Sequence, residues 1–307
     1  MEIFNIFELS EPKEPCALAL GIFDGVHIGH KALLSKAAAE AQKQGLLAAV
    51  FSICDGAAYK KTKSLLPDKE KYAKMEACGI KRVYTAQFSQ ICSLSPKEFV
   101  EDVLIKRLHC KIALCGENFR FGKMAAGDAN TLKKEMQANK GDAMICPSVL
   151  FEGEVVSASR IKEALTEGKA ELAEQMLGEP FALRSFVLHG KGIGGPTLGV
   201  PTVNLAFDEA AFVPKHGVYV SKTKIGKQVF GSITNIGIRP TFENDGKVNA
   251  ETHIFAKAGD LYGKEISVSL LAFLRGERCF ENSNALKAQL EKDCASALAH
   301  LHSHKIT

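Results

Sequence analysis

No apolar run in this 307-residue sequence approaches the ~20 residues that span a bilayer. Residues 1–15 mix acids, prolines and apolar residues, without the basic start and apolar core of a signal peptide. Every C-x-x-C spacing is missing: the nine cysteines lie scattered at 16, 54, 78, 92, 110, 115, 146, 279 and 294. An odd, dispersed set argues against a disulfide framework or a zinc ribbon. The cysteines read instead as small buried hydrophobes in a reducing compartment, so a cytoplasmic protein is expected. The H-E-x-x-H spacing of zinc proteases is also absent. Excess charge is small, since Lys and Arg outnumber Asp and Glu by 39 to 35, a formal +4. That is too little to argue for nucleic acid without a concentrated basic face and interleaved aromatics. Neither a membrane nor a nucleic acid is therefore expected as a partner, and self-association is left open. The terminal His300-Leu301-His302-Ser303-His304 reads as a frayed tail.

What is present suits two domains of ordinary globular composition, 46% hydrophobic and 24% charged. In the first half, apolar runs at Cys16–Ile22, Leu46–Ile53, Lys81–Ala86, Lys111–Cys115 and Met144–Leu150 alternate with helical patterns. Those helices are Lys31–Gln44, Lys69–Cys78, Pro96–Arg107 and Ala129–Ala138. Such alternation predicts a parallel sheet with helices on both faces, and ligands at the carboxyl ends of its strands. Two more helices follow, Arg160–Leu165 capped by Ser157 or Ser159, and Ala170–Leu177, before Gly178-Glu179-Pro180 breaks the pattern. From Phe181 short β-rich segments separated by Gly, Asn and Pro predict a small antiparallel barrel. A helix from Asn284 to about His300, with Leu286, Leu290 and Ala297 on one face, is expected to close the barrel or pack on its side. The boundary is placed near residue 180, giving domains 1–180 and 181–307.

The stretch Ala17-Leu18-Ala19-Leu20-Gly21-Ile22-Phe23-Asp24-Gly25-Val26-His27-Ile28-Gly29-His30 reads as buried strand, tight turn and helix start. Gly21, Gly25 and Gly29 let backbone approach a ligand, the opening helix turn offers unpaired N–H groups, and His27 and His30 can donate to phosphate oxygens. A metal pair or two surface histidines is the bland alternative, weakened by the lack of a nearby third ligand. The segment is similar to the HxGH signature of the nucleotidyltransferase superfamily, and Phe23-Asp24-Gly25 to its flavin-nucleotide branch.

A second block, Gly190-Lys191-Gly192-Ile193-Gly194-Gly195-Pro196-Thr197-Leu198-Gly199-Val200-Pro201-Thr202-Val203-Asn204, resembles the riboflavin kinase signature. Downstream, Asn235-Ile236-Gly237-Ile238-Arg239-Pro240-Thr241-Phe242, Glu251-Thr252-His253, Asp260-Leu261-Tyr262-Gly263 and Leu274-Arg275-Gly276-Glu277-Arg278-Cys279-Phe280 follow in that family's order. Together the two halves resemble the bacterial bifunctional riboflavin kinase/FAD synthetase family over nearly the whole chain. The resemblance implies a Rossmann-like HxGH nucleotidyltransferase domain followed by a riboflavin kinase-like barrel with a C-terminal helix.

It further implies ATP as co-substrate and riboflavin, FMN and FAD as substrates and products. His27 and His30 fall to the ATP phosphates, with Gly21, Phe23, Asp24, Gly25 and Gly29 in the same turn. Gly116-Glu117-Asn118-Phe119-Arg120-Phe121-Gly122 resembles the flavin-nucleotide segment and makes Asn118 and Arg120 candidates. Ser157-Ala158-Ser159-Arg160-Ile161-Lys162 resembles the superfamily's S-S-T-x-I-R, which clasps pyrophosphate through hydroxyls, N–H groups and a cation. Here Ser157, Ser159, Arg160 and Lys162 fill the role, and Lys162 replaces a bidentate guanidinium with a point charge. After the second strand the family carries a Phe-x-Pro-His-Pro-like segment, whereas this chain has Phe51-Ser52-Ile53-Cys54-Asp55-Gly56. In the kinase half, Gly190, Lys191, Gly192 and Gly194 form the phosphate loop. Thr202 and Asn204, two apart on a strand, face one side and offer hard oxygens to a single Mg²⁺. Glu277 matches the family's general base, while Glu251 and His253, sharing a strand face, are left outside the catalytic set. The alternative is a riboflavin kinase whose N-terminal domain binds nucleotide or flavin with little transferase activity.

Overall fold

The computed structural model describes residues 1–8, 14–53, 63–187, 202–238, 248–256 and 261–304. Two compact units emerge, Met1–Ala158 and Ser159–Thr307.

The first unit is built on strands β1 (Glu2–Asn5), β2 (Cys16–Leu20), β3 (Leu47–Ile53), β4 (Arg82–Ala86), β5 (Cys110–Gly116) and β8 (Asp142–Cys146). They form one sheet in the order β1-β4-β3-β2-β5-β8, with every pairing parallel. Strand β2 is buried at all five positions, as a central strand of a sheet covered on both faces must be. Its side chains alternate between two cores. Cys16, Leu18 and Leu20 pack with Phe99, Val103 and Leu104, whereas Ala17 and Ala19 pack with Leu33, Leu34 and Ala37. The covering helices are α1 (Ile28–Gln44), α2 (Asp68–Ala77), α3 (Phe88–Ile91), α4 (Pro96–Glu98, continued by a π-wound stretch Phe99–Arg107) and α5 (Ala129–Ala138). Chain order runs from β2 outward to β3 and β4 on one side and to β5 and β8 on the other, so the strand order reverses between β2 and β5. A crevice at the carboxyl ends of those two strands is where such sheets bind ligands.

Three local readings change. Helix α1 starts at Ile28 rather than Lys31, because His27 caps it. The strand read at Met144–Leu150 is displaced: β8 ends at Cys146, and β9 (Leu150–Phe151) turns back as a hairpin with β10 (Glu154–Val155). A short antiparallel pair, β6 (Arg120–Phe121) and β7 (Gly127–Asp128), follows β5.

The second unit opens with α6 (Ala158–Glu167, whose first residue closes unit 1) and α7 (Ala170–Leu177). Six antiparallel strands follow: β11 (Ala182–Phe186), β12 (Thr202–Ala206), β13 (Gly217–Ile225), β14 (Gln228–Ile238), β15 (Val248–Ile254) and β16 (Glu265–Arg275). They are ordered β11-β16-β13-β14-β15-β12. End strands β11 and β12 touch, so the sheet closes nearly into a barrel. Helices α6 and α7 group with this barrel rather than with the first unit. Lys215 N–H donates to Leu165 O at 3.0 Å, and α7 packs on β16.

The barrel interior is partly polar. Thr223, Ser232, Ser221, Thr234 and Thr252 form one chain of hydroxyl hydrogen bonds at 2.8–2.9 Å, all of them solvent-excluded. Small hydroxyls fit where strands crowd, and each finds a partner. Outside, α8 (Ser283–Ser303) covers Val218, Val220 and Ile233 with Ala297 and Leu301. Its inner face carries the Leu286–Leu290–Ala297 line read from hydropathy, with Leu286 and Leu290 half-buried, and adds fully buried Asp293 and Leu301. A charged residue sits there because Arg275 donates to both Asp293 oxygens at 2.7–3.1 Å. The terminal histidines do not fray: the helix runs to Ser303, and His300 stacks on His304. Among the described cysteines Cys16, Cys110, Cys115 and Cys146 are buried, Cys279 is exposed, and none is in a disulfide.

Candidate active sites

The turn leaving β2 is built from backbone that few residues adopt. Phe23 (φ 59°), Gly25 (φ 76°) and Val26 (φ 42°) all lie in left-handed space, which for a β-branched valine is a true outlier. Burial over-determines it, since Phe23 and Val26 are completely solvent-excluded. Asp24 ties the turn down, its carboxylate accepting from Leu65 N–H at 2.8 Å and Ser64 Oγ at 3.0 Å. From the neighbouring strand Ser52 Oγ donates to Ile22 O at 3.2 Å. Strain of this kind, held in place from several sides, marks functional turns.

The turn delivers two histidines onto the start of α1. His27 is the N-cap, its Nδ1 accepting from His30 N–H at 3.3 Å. An accepting Nδ1 puts the ring proton on Nε2, so the outward nitrogen is a donor. The His30 ring stacks on His27 at 3.6 Å and meets the Phe23 ring edge-to-face at 5.2 Å. Gly29 makes the stack feasible, because a Cβ there would lie 3.2 Å from the His27 ring. Burial pushes His27 down to about 4, with Asp24 opposing and Lys31 assisting. Burial, then the His27 charge, holds His30 well below the ordinary imidazole value. Both rings are therefore neutral at pH 7. His30 Nδ1 is buried without a hydrogen-bond partner among the described residues, a group that a ligand oxygen or bridging water would satisfy.

On the adjacent strand, the turn after β5 presents Asn118 and Arg120 to solvent, with Arg120 donating to Phe119 O at 3.2 Å. Phe121 is core, wedged against Phe99, while half-buried Phe119 stacks on it at 5.5 Å. Glu117 accepts from Ser148 N–H at 2.9 Å, which holds its pKa below the ordinary carboxylate value. Farther on, α6 begins immediately after Ser157, so Ser159 lies exposed in its first turn with Arg160 and Lys162 part-buried behind.

The second site lies on the outer face of the barrel, where polar residues of β12, β15 and β14 line up by register. Asn204, Glu251 and Asn235 are directly paired across three strands. Thr202 Oγ1 donates to Glu251 Oε1 at 2.9 Å, and Asn249 Nδ2 donates to Asn204 Oδ1 at 3.0 Å. A hydroxyl that gives its proton to Glu251 keeps its lone pairs for a cation. With Asn204 this gives two hard oxygens of the kind that suits Mg²⁺, beside the Glu251 carboxylate. Among the described residues no cluster of three His, Cys, Asp or Glu could hold a metal ion.

Comparison with known proteins finds one family for each half of the chain. A riboflavin kinase family model matches residues 177–301 and an FAD synthetase model matches residues 9–160. The Bacillus subtilis bifunctional riboflavin kinase/FMN adenylyltransferase is 31% identical over 94% of this chain and 94% of its own length. This chain belongs to that bifunctional family. The Listeria monocytogenes member is 33% identical over 90% of this chain and 89% of its own. A solved Streptococcus pneumoniae structure described as a macrolide-efflux protein shares the fold at TM-score 0.85 and 29% identity, covering 97% of this chain and 99% of that one. That description belongs to the other protein; no described helix here is long and apolar enough to cross a membrane.

Set beside the family's sequence signatures, the structure joins Gly21, Phe23, Asp24, Gly25, His27, Gly29 and His30 in one turn, and Thr202 with Asn204 on one strand face. Asp24 is committed to residues 64–65 rather than aimed at a ligand. Gly190, Lys191, Gly192 and Gly194 lie outside the described residues, as do positions 54–56 of the atypical segment. Glu277 sits against Gly237 with its Oε2 3.7 Å from His216 Nδ1. The carboxylate in contact with Thr202 is Glu251, which sequence reasoning left aside. Its signals were its place in the Glu251-Thr252-His253 segment and a strand face shared with His253, but the β12–β15 register that pairs it with Asn204 is not written locally.

Proposed function

We propose that this enzyme phosphorylates riboflavin to FMN with ATP and adenylylates FMN to FAD with release of pyrophosphate, the first in residues 181–307 and the second in residues 1–180. What supports the reading is that each family match falls on a unit that brings phosphate-compatible groups together: stacked His27 and His30 in the first, Thr202 and Asn204 beside Glu251 in the second. The free cysteines favour the cytoplasm as its compartment.

In the adenylyl transfer a phosphate oxygen of FMN attacks the α-phosphorus of ATP and the bond to pyrophosphate breaks. No protein covalent intermediate is needed, so positioning and stabilisation of spread negative charge do the work. His27 Nε2–H and the opening N–H groups of α1 donate to phosphate oxygens, aided by the helix N-terminus. Asn118, Arg120, Ser157, Ser159, Arg160 and Lys162 would supply flavin and pyrophosphate contacts. In the kinase reaction the riboflavin 5′-hydroxyl oxygen attacks the γ-phosphorus and ADP leaves. Contact with the Thr202–Asn204 pair favours Glu251 over Glu277 as the base that takes the hydroxyl proton. Mg²⁺ held by Thr202 and Asn204 would neutralise phosphate charge when bound.

Purified chain supplied with riboflavin, Mg²⁺ and ATP should accumulate FAD. FMN alone would establish the kinase-only alternative, and neither product would overturn the assignment.

A further inference from the structure

Glu277 is held with more care than a solvated carboxylate needs. Arg275 anchors the segment before it, since its guanidinium is locked on buried Asp293 of α8 and its Nη1 donates to Gly276 O at 3.0 Å. Gln289 Nε2 braces Asp293 at 2.8 Å. Two glycines then let the segment lie directly on the barrel. At Gly217 (φ 144°) a Cβ would run into the Arg275 carbonyl, and at Gly237 it would overlap the Glu277 carboxylate. Gly237 is paired with Asn249 in the β14–β15 register, so Glu277 lies on the same face as Asn249, whose side chain holds Asn204. Glu251 is the next residue on that face of β15. Diagonal neighbours of this kind are about 7 Å apart.

We propose that Glu277 is a fixed substrate-reading carboxylate that accepts hydrogen bonds from the polyol chain of the flavin, with Gly237 as its seat and His216 as its positioning residue. The inference rests on the kinase reading above. Its chemistry follows from charge and capacity. An anion on the face that carries the Mg²⁺ donor set repels triphosphate, so its natural partners are hydroxyl donors. Among the described residues the ring of His216 is its one neighbour within ion-pair range, at 3.7 Å, too far for a hydrogen bond. The acceptor lone pairs are thus open, and roughly half of the side chain faces solvent. A polyol whose terminal hydroxyl reacts beside Glu251 would bring other hydroxyls within that ~7 Å.

The test uses the full chain. Glu277→Gln should raise KM for riboflavin, and the Kd for riboflavin read by flavin fluorescence without ATP, by about 10-fold or more. KM for ATP, Mg²⁺ dependence and kcat should stay within about twofold, the pattern of lost uniform binding. Gly237→Ala should produce the same KM shift by pushing the carboxylate away. That shift should vanish in a Glu277→Ala background, where nothing remains to push. A large fall in kcat at saturating riboflavin would make Glu277 the base and overturn the proposal. So would an unchanged riboflavin Kd, or a shift confined to ATP. If the unmodified chain binds riboflavin yet forms no FMN, the kinase reading fails while the Kd comparison still decides this one. Adenylylation of supplied FMN by the same preparations controls for misfolding.

Discussion

His27 caps α1 through Nδ1 and, on the proposed reading, donates to phosphate through Nε2; a single substitution can separate the two. Asparagine is among the best N-caps, so His27→Asn can accept from His30 N–H as the imidazole Nδ1 does, yet offers nothing in place of the Nε2–H donor. Losing one donor to developing phosphate charge typically costs about 10²–10³-fold in turnover. His27→Ala removes donor and cap together and adds about 1 kcal/mol of destabilisation, which in a unit of this size lowers Tm by roughly 2–4 °C. Both variants should therefore lose FAD formation from FMN and ATP alike, while only the alanine variant melts clearly lower. FMN formation from riboflavin should be unchanged in both, because the kinase residues lie in the other compact unit. Near-normal FAD formation by His27→Asn would remove His27 from the phosphate site. Equal thermal losses for the two variants would refute the cap argument.

Glu251→Gln should cut FMN formation about 10²–10⁴-fold and leave FAD formation from supplied FMN intact, whereas Thr202→Ala should be partly rescued by raised Mg²⁺; steady-state kinetics of the two half-reactions check both, and a Glu251→Gln enzyme of normal rate would return the base to Glu277. Thr234→Val leaves Ser221 and Thr252 without their shared buried partner, so denaturant unfolding of the barrel should show a loss of about 1–3 kcal/mol, and a neutral substitution would mean that the hydroxyl chain rearranges freely. His27 has its folded pKa lowered from 6.5 to about 4. Between those values the unfolded chain binds the extra proton, so stability of the first unit should fall as pH drops from 6.5 towards 4, by up to about 3 kcal/mol from this group. His27→Asn should flatten that part of a melting-against-pH curve.

The sheet of the first unit was legible, edge strand β1 (Glu2–Asn5) apart, because its inner strands are apolar runs alternating with helical segments, and parallel sheets demand that alternation. The two histidines were legible as a spacing. Their roles were not, since the cap depends on the Nδ1–His30 geometry and the left-handed turn on the burial of Phe23 and Val26. The break at Gly178-Glu179-Pro180 is the visible punctuation in the sequence, yet α6 and α7 pack with the barrel that follows, through Leu165, Lys215 and β16. Local punctuation records where regular structure stops, whereas compactness is decided by contacts made some 50 residues later. Asp293 escaped the hydropathy pattern of α8 for a related reason. A charge on the buried face is readable as such only once Arg275 is known to lie opposite it.

Glu251 shows most plainly what a one-dimensional reading loses. Its nearest chemical partner, Thr202, is 49 residues earlier, and the two meet because β12 runs antiparallel to β15 in a register that pairs Asn204 with Glu251. A slip of one residue in that register would turn Glu251 into the barrel, among the hydroxyls, and bring Thr252 out to the metal donors. The interior chain Thr223–Ser232–Ser221–Thr234–Thr252 opposes such a slip, because its hydrogen bonds cross β13, β14 and β15 at fixed pairings. Buried hydroxyls that contribute little net stability can still make one register far better than its neighbours. On this argument the polar interior of the barrel sets the register that keeps Glu251, Asn204 and Thr202 on one outer face, and so links the core to the site proposed for phosphoryl transfer.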